Sequence, residues 1–365
     1  MMFIDRTKES IRSDLSLISK DIPAALVDRE GLLRLDAVAA MLPAGLSDFW
    51  GLECRLNTDE PLADILFEVK DKTAGQRLLA GLSPSMLDSL CTKYPLWQEL
   101  RSFAKLWLEE PDTVGRHILN LWLEFDTEDL SSYKDASDII QKLSIFIGFR
   151  SDHVTRAEHR EVLHRANKLM RFPNSHIESL QAFMGSLPST GRLFQLGSML
   201  GRDSRDVRVC VNRLQAGDVS AWLKGIGWNG DQQRLSKLLK RLSPLLRAFA
   251  VDLNLEADGP SKKIGIECYM DWDDPEPAQW YVLLDLLNEL GVCRPGKREG
   301  LLQYPGQVCL PAAQRKACDG NLYLSLFKTI HHIKLSFNGS YVSDAKAYLA
   351  VYRPCIQPKN NWFVQ

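Results

Sequence analysis

The sequence predicts an α+β fold in which a closed ten-stranded antiparallel β-barrel is surrounded by helices. Two observations favour this fold. Segments that alternate apolar and polar residues come in consecutive pairs, as strands with one buried face do, and a segment with helical spacing follows most of the pairs. This strand–strand–helix (ββα) unit recurs about five times, so a layer of helices can cover the apolar faces of the strands.

The units follow one another in a regular order after an N-terminal helical extension over residues 1–44. Period-2 alternation predicts the strands, and apolar side chains at 3.6-residue spacing predict the helices. The predicted strands are 49–57, 64–71, 117–126, 144–150, 192–200, 206–213, 248–256, 262–270, 331–338 and 345–353. The predicted helices lie around 73–82, 159–172, 219–226 and 278–291.

The barrel is favoured over an open sheet because closure removes the two edges that ten strands would otherwise expose. We therefore predict one barrel domain over residues 45–365. Two α+β sandwiches packed side by side and divided near residue 185 are the alternative. In the barrel, apolar faces point outward to the helices and polar faces line a wet lumen. The outward residues are Leu52, Leu56, Leu121, Leu123, Phe125, Val207, Val209, Val211, Ile264, Ile266, Ile333 and Leu335.

The composition is that of an ordinary globular protein: 365 residues, a formal net charge of -1 and 45% hydrophobic residues. Near-neutral charge argues against a nucleic-acid binder that depends on phosphate contacts. No apolar run is long enough to cross a bilayer, and the charged N-terminus is unlike a signal peptide, so we expect a cytoplasmic protein. The 8 cysteines form no CxxC pair, which favours buried free thiols over disulfides or a zinc site.

The predicted lumen combines cations with phenols on several separate strands. Such a face could be an ordinary solvated strand surface with ion pairs, or it could hold an anionic substrate. Guanidinium, ammonium and phenol groups all donate hydrogen bonds to phosphate oxygens. The recurrence of these residue types in the same strand phase favours the anion site. Its residues are Arg208, Lys263, Tyr269, Lys334, Lys346, Tyr348 and Tyr352.

The segment "GLECRLN" at 51–57, together with the five units, resembles the αββα-barrel (ABBA, PT-barrel) family of soluble aromatic prenyltransferases. The likeness includes the fungal dimethylallyltryptophan synthase group and the bacterial and cyanobactin-peptide members. It implies that Glu53 binds the acceptor and takes its proton, and that the anion-site residues hold an isoprenoid diphosphate. Arg55 holds the next lumen position of the same motif, beside the acceptor. The aromatic face of Trp122 can shelter the allylic cation by its attraction to positive charge.

The chain also departs from the family pattern. Asp64 stands where the fungal enzymes have an arginine, "SIFIGFR" lacks a Lys-x-Tyr, and the third unit has Cys210 and Asn212 after Arg208. The lumen also gains carboxylates. This excess predicts either a magnesium-assisted variant, with Glu124 and Asp126 as metal ligands, or a different bound molecule. The added acids are Glu124, Asp126, Asp252, Glu256 and Glu267.

The resemblance predicts transfer of a dimethylallyl, geranyl or farnesyl group from its diphosphate to an aromatic molecule or a peptide side chain, with no nucleic acid and no membrane span involved. No cofactor other than Mg²⁺ is implied. A non-catalytic scaffold that binds a peptide in a modification pathway is the alternative. A metal enzyme with different chemistry in the acidic cavity is a third reading.

Overall fold

A computed structural model of the protein describes residues 6, 9–109, 114–127, 136–150, 156–200, 206–256, 259–270, 278–311, 317–318, 321–322 and 325–353. None of the helices in these ranges combines the length and the apolar character that a bilayer span requires. Cys355 was predicted to be a buried thiol and lies outside the described residues.

Ten strands within the described residues close into one antiparallel barrel, which confirms the predicted fold class. Each barrel strand pairs with the next barrel strand along the chain, and the last strand pairs with the first. The barrel strands are β1 (Phe49–Arg55), β2 (Ala63–Lys70), β3 (Ile118–Phe125), β4 (Leu143–Phe149), β5 (Arg192–Ser198), β6 (Val207–Asn212), β7 (Ala248–Glu256), β8 (Gly259–Tyr269), β12 (Ser325–Asn338) and β13 (Val342–Tyr352). A further strand, β9 (Gly306–Cys309), pairs with the start of β12, and β10 (Ala317–Cys318) pairs with β11 (Asn321–Leu322).

Helices follow the strand pairs as the repeated ββα unit requires. The N-terminal helices are α1 (Arg12–Ile18) and α2 (Arg29–Ala39). The helices between strand pairs are α3 (Ala74–Leu79), α4 (Leu87–Lys93), α5 (Pro95–Glu109), α6 (Val114–His117), α8 (Arg156–Met170), α9 (Asn174–Ser186), α10 (Ala216–Gly225), α11 (Gln232–Leu242), α12 (Ala278–Glu289) and α13 (Pro295–Gln303), and α7 (Ala136–Ile140) lies within a pair.

The hydrophobic core lies between the barrel and its helices. The predicted outward residues of the strands are buried, for instance Leu52, Leu121 and Ile266 at 0% exposure. They share one continuous cluster with apolar side chains from the helices, such as Trp97 and Leu283. Burial of apolar area at roughly 25 cal/mol per Å² makes this layer the main stabilising part of the fold.

The N-terminal segment is attached to the barrel through a buried ion cluster. The carboxylate of Asp14 in α1 accepts hydrogen bonds from Arg6 and from Arg353, each at 2.6 Å. Arg353 directly follows β13, so the cluster joins the two ends of the described chain. The division of the chain at residue 44 stays a prediction.

Two strands begin earlier than predicted. β8 begins at Gly259 because a tight hairpin pairs Glu256 with Gly259, and the φ of +126° at Gly259 is a conformation that glycine adopts without strain. β12 begins at Ser325 and contains a β-bulge between Ile330 and His332. The bulge adds one residue to the strand, so the alternation of lumen-facing and helix-facing side chains shifts by one position there.

Candidate active site in the barrel lumen

All of the predicted site residues lie in the strand phase that faces the lumen, or at the ends of the lumen. Successive side chains of a strand point to opposite faces, and the alternate residues of these strands are buried against the helices. The lumen-facing set is Glu53, Arg55, Trp122, Glu124, Asp126, Arg208, Lys263, Tyr269, Lys334, Lys346, Tyr348 and Tyr352. The catalytic and binding roles of these residues stay predictions.

Glu53 lies at the centre of the first group. The pairing of β1 with β13 places it directly opposite Tyr348, and Lys346 Nζ donates a hydrogen bond to Glu53 Oε1. The Tyr348 hydroxyl also hydrogen-bonds Glu53, and burial together with the charges of Glu53 and Glu124 raises the pKa of Tyr348. Two donors therefore bind a carboxylate that is only 7% exposed.

Asp252 on β7 is the centre of a second group. Its carboxylate accepts Lys334 Nζ at 2.7 Å and Arg208 Nη1 at 3.1 Å. Burial raises the pKa of Asp252, but Lys334 and Arg208 outweigh it and hold the pKa below the ordinary value. A Cβ on Gly265 would overlap both Asp252 Oδ2 and Lys334 Cε, so glycine leaves the space that the ion pair occupies.

Between these groups, Tyr269 donates its hydroxyl to Glu267 Oε2 at 2.6 Å. Burial, followed by the charge of Asp252, raises the pKa of Glu267. The pKa of Tyr269 is raised as well, by burial and by Glu267. Tyr269 therefore stays protonated, and its single hydroxyl hydrogen is donated to Glu267.

Two members of the predicted diphosphate set lie apart from the others. Lys263 is at the rim, where its side chain is 55% exposed and its Nζ contacts Asp344 Oδ2 at 3.0 Å. Tyr352 is six residues from Lys346 along β13, about 20 Å at the strand rise of ~3.3 Å per residue. The cations that the fold brings together inside the lumen are Arg208, Lys334 and Lys346.

Tyr352 belongs to an aromatic wall at the other end of the lumen. Its ring stacks on Phe49 at 5.9 Å and on Phe327 at 5.7 Å. Phe49 meets Trp122 edge to face at 5.8 Å and His331 at 5.6 Å. Aromatic faces attract cations, so this wall can shelter a positively charged carbon as well as an apolar chain.

Solved structures share this architecture over nearly the whole chain. AnaPT from Neosartorya fischeri has a TM-score of 0.55 at 12% identity, with 96% of this chain and 94% of that chain covered. The apo form of the prenyltransferase PriB has a TM-score of 0.53 at 12% identity, with 94% and 96% covered. The NotF prenyltransferase has a TM-score of 0.50 at 10% identity, with 97% and 96% covered.

The chain has the αββα-barrel fold of the aromatic prenyltransferases. No protein-family model matches the chain, and neither does any curated protein. At such low identity the likeness establishes the fold, because backbone architecture persists after sequence similarity is lost and one fold can host several activities.

An acidic side of this αββα barrel lies beside Glu53. Asp64 on β2 faces Glu53 across the strand pair, and its Oδ2 lies 3.9 Å from Arg55 Nη2. Burial, then the charges of Glu53 and Asp126, raise the pKa of Asp64 to about 7. Glu124 lies on the lumen face of β3, and Asp126 directly follows the end of that strand. In the described parts of the chain, however, no three histidine, cysteine or acidic side chains are grouped to hold a metal ion.

Sequence reasoning did not assign His331 and His332, although both turn into the lumen of the αββα barrel. It also missed the hydrogen bond of 2.6 Å from Asn120 Nδ2 to Glu68 Oε1, which joins β3 to β2. Two adjacent histidines in an otherwise alternating strand were the available signal. Alternation alone places only one of them inside, and the bulge in β12 accounts for the second.

Proposed function

We propose that this protein is a prenyltransferase that moves an isoprenoid from its allylic diphosphate to an aromatic acceptor or a peptide side chain. The observation that carries the proposal is the arrangement of the lumen. A buried carboxylate, Glu53, lies beside a phenol and a lysine, with further cations on β6 and β12 and an aromatic wall beyond them. The fold that two solved prenyltransferases share with this chain agrees with it.

The donor would bind with its diphosphate towards Arg208, Lys334 and Lys346. Its C1–O bond then breaks, the electron pair stays on the leaving diphosphate oxygen, and the cations stabilise the new charge. One preorganised donor of this type can be worth ~3 kcal/mol in the transition state. Burial raises the pKa of Tyr269 and of Tyr348, so each keeps the single hydroxyl hydrogen that it donates to Glu267 or to Glu53. Either hydroxyl would have to leave its carboxylate to donate to the diphosphate.

The acceptor would attack the allylic cation in the space between the basic side chains that bind the diphosphate and the aromatic wall. A new bond forms from the acceptor to C1 of the isoprenoid, and the acceptor loses a proton to Glu53. Lys346 and Tyr348 donate hydrogen bonds to this carboxylate and orient it as the proposed proton acceptor. The closed barrel limits the water that would otherwise convert the cation to an alcohol.

The donor and the acceptor require opposite charges in the lumen, since the diphosphate needs cations and the acceptor needs a carboxylate to take its proton. Lys334 and Arg208 already share Asp252, and Lys346 already binds Glu53. A diphosphate of about three negative charges would compete with these carboxylates. Magnesium would reduce that competition, with Glu124 and Asp126 as its protein ligands and donor oxygens completing its shell. We propose magnesium as an aid to donor binding, to be tested by adding it and by chelation.

Mass spectrometry of reaction mixtures tests the proposal. The protein is incubated with dimethylallyl, geranyl or farnesyl diphosphate and with indole, phenol or peptide acceptors, in the presence and absence of Mg²⁺. The expected product is an acceptor with the mass of one added isoprenoid. Release of free isoprenoid alcohol alone, or no consumption of any donor, would contradict transfer.

A peptide-binding scaffold is the second candidate, and the carboxylate partners of Lys334 and Lys346 favour it. Calorimetry with a dimethylallyl thiolodiphosphate separates the two functions. A prenyltransferase binds this analogue with an affinity that falls as salt rises and that Lys346→Ala weakens. A scaffold does not bind it and binds peptide alone.

A further inference from the structure

The β-bulge in β12 turns two consecutive histidines towards the lumen. Ile330 pairs with Leu349 and His332 pairs with Tyr348, so His331 is the additional residue of the bulge. Ile330 and Ile333 on either side are buried against the helices at 1% and 0% exposure. His331 contacts Phe49, and His332 contacts Tyr348, both on the lumen face. Bulges often re-aim a side chain next to a functional site.

Aromatic contacts fix the ring of His332. It stacks on Tyr348 with centroids 4.1 Å apart and 12° between planes, and it lies 5.0 Å from Tyr269. His332 Nδ1 is 2.7 Å from His331 Nδ1, so one of these nitrogens donates to the other. Contacts with His331, Tyr348 and Tyr269 therefore fix the orientation of the imidazole.

The nitrogen on the other edge of the ring, Nε2, makes no hydrogen bond to the described residues. His332 is 8% exposed, and its Nε2 is buried with no hydrogen-bond partner among the described residues. A buried polar atom without a partner is unfavourable, and native structures keep such atoms mainly where a ligand or water supplies the bond. Nε2 is thus available to a molecule that enters the lumen.

The imidazole is neutral under ordinary conditions. Burial lowers the pKa of His331 to about 4. Burial also lowers the pKa of His332, followed by the charges of His331 and Lys334, while Glu53 acts in the opposite direction. A neutral imidazole with Nδ1 engaged presents Nε2 as a donor in one tautomer and as an acceptor in the other. It therefore suits an uncharged polar group better than an ion.

The charged groups around His332 indicate which substrate Nε2 would meet. Glu53, which we propose takes the acceptor proton, reaches His332 through Tyr348. Lys334, which we propose binds the donor, is two residues further along β12. Glu267 accepts the hydroxyl of Tyr269, whose ring contacts His332. His332 lies between the proposed acceptor and donor positions.

We propose that His332 Nε2 hydrogen-bonds a second, uncharged polar group of the acceptor, so that the preferred substrates are aromatic molecules with an amide, hydroxyl or carbonyl group beyond the N–H or O–H that faces Glu53. This inference rests on the proposed function and names the substrate class of the same site. His332 acts as a positioning and specificity residue, since it does not touch the bond that breaks.

The experiment compares two acceptors that share an indole N–H. N-acetyl-L-tryptophanamide has two amides, and 3-methylindole has no further polar group. Calorimetry without donor measures binding, and steady-state kinetics with dimethylallyl diphosphate measures KM and kcat. His332→Phe keeps an aromatic ring but removes Nε2, and His332→Gln restores a hydrogen-bonding group. His164→Phe, at an exposed position on α8, is the control.

We expect His332→Phe to raise the Kd and KM for N-acetyl-L-tryptophanamide about tenfold, the usual effect of one lost hydrogen bond. The values for 3-methylindole and for the donor should stay within about twofold, His332→Gln should recover part of the loss, and His164→Phe should change neither. Equal losses for both acceptors, or no preference of the native protein between them, would overturn the inference. A preference in binding without any product would overturn the proposed reaction and leave the His332 contact standing.

Discussion

The two faces of the same strands have different physical roles. The outer face of β12 presents Ile333 and Leu335 to the helices at 0% exposure, while the inner face presents Lys334 and Ser336. The outer contacts are non-directional and depend on buried apolar area. The inner contacts are pairwise ion pairs and hydrogen bonds that depend on strand register. A change on one face should therefore affect stability, and a change on the other should affect function.

The largest effect is expected on the inner face at Glu53. Glu53→Gln removes the proposed proton acceptor and keeps the side-chain shape, so product formation should fall about 10²–10⁴-fold, the range for general bases. Acceptor prenylation followed by mass spectrometry measures the loss, and circular dichroism checks the fold. Product formation within about threefold of the native rate would remove Glu53 from the mechanism.

On the outer face, Leu123→Ala should mainly reduce stability. Leu123 is 0% exposed on β3, and truncation of a buried leucine costs about 2–5 kcal/mol. Urea unfolding measures the free energy, while the kcat of the remaining folded protein should change little. A large fall in kcat at unchanged stability would show that the two faces are not separable.

Asp64 is an inner-face residue that should affect stability through pH. Its pKa of about 7 in the fold exceeds the ordinary value, so the folded state binds more protons than the unfolded state between the two pKa values. The stabilisation of the folded state by protonated Asp64 is present at low pH and is lost as the pH rises towards about 7.

Asp64→Asn removes this titration and keeps an oxygen for the Thr127 N–H, now bonded at 2.7 Å. The variant should gain stability relative to the native protein as pH rises from about 4 to about 7, and the difference should then stay constant. Thermal unfolding across that range measures the difference. A difference that does not vary with pH would contradict the raised pKa.

The smallest effect is expected at the rim. Lys263→Ala removes an exposed ion pair with Asp344, which is worth at most about 1 kcal/mol. The KM for dimethylallyl diphosphate should change less than about threefold, whereas Lys334→Ala, inside the lumen, should raise it at least about tenfold. Equal effects of the two variants would show that the donor extends to the rim.

Much of the barrel could be predicted because each strand contains its own evidence. Leu52 and Glu53 alternate within β1 whatever the rest of the chain does, and such local alternation predicted the order of strands and helices. The pairing of Glu53 with Lys346 joins residues 293 positions apart and depends on the register between β1 and β13. Sequence alternation does not specify a register between distant strands, so the partners of each charge could not be predicted.

The bulge at His331 shows the same limit in a single strand. The lumen-facing residues of β12 have odd numbers before the bulge and even numbers after it. A single alternation pattern therefore describes only 331–338. Tyr352 shared the predicted lumen phase but lies in the aromatic wall, because phase says which face a residue occupies and not how deep it is. Depth depends on the position along the barrel axis.

By itself, the amino-acid sequence determined that paired strands with one apolar face would be covered by helices, since period and hydrophobicity act over a few neighbouring residues. Only the tertiary structure decided which lysine binds which carboxylate, that two histidines share the lumen, and where the cations end and the aromatic wall begins. Those features arise when the first and last strands meet, since closure brings together side chains that no local pattern relates.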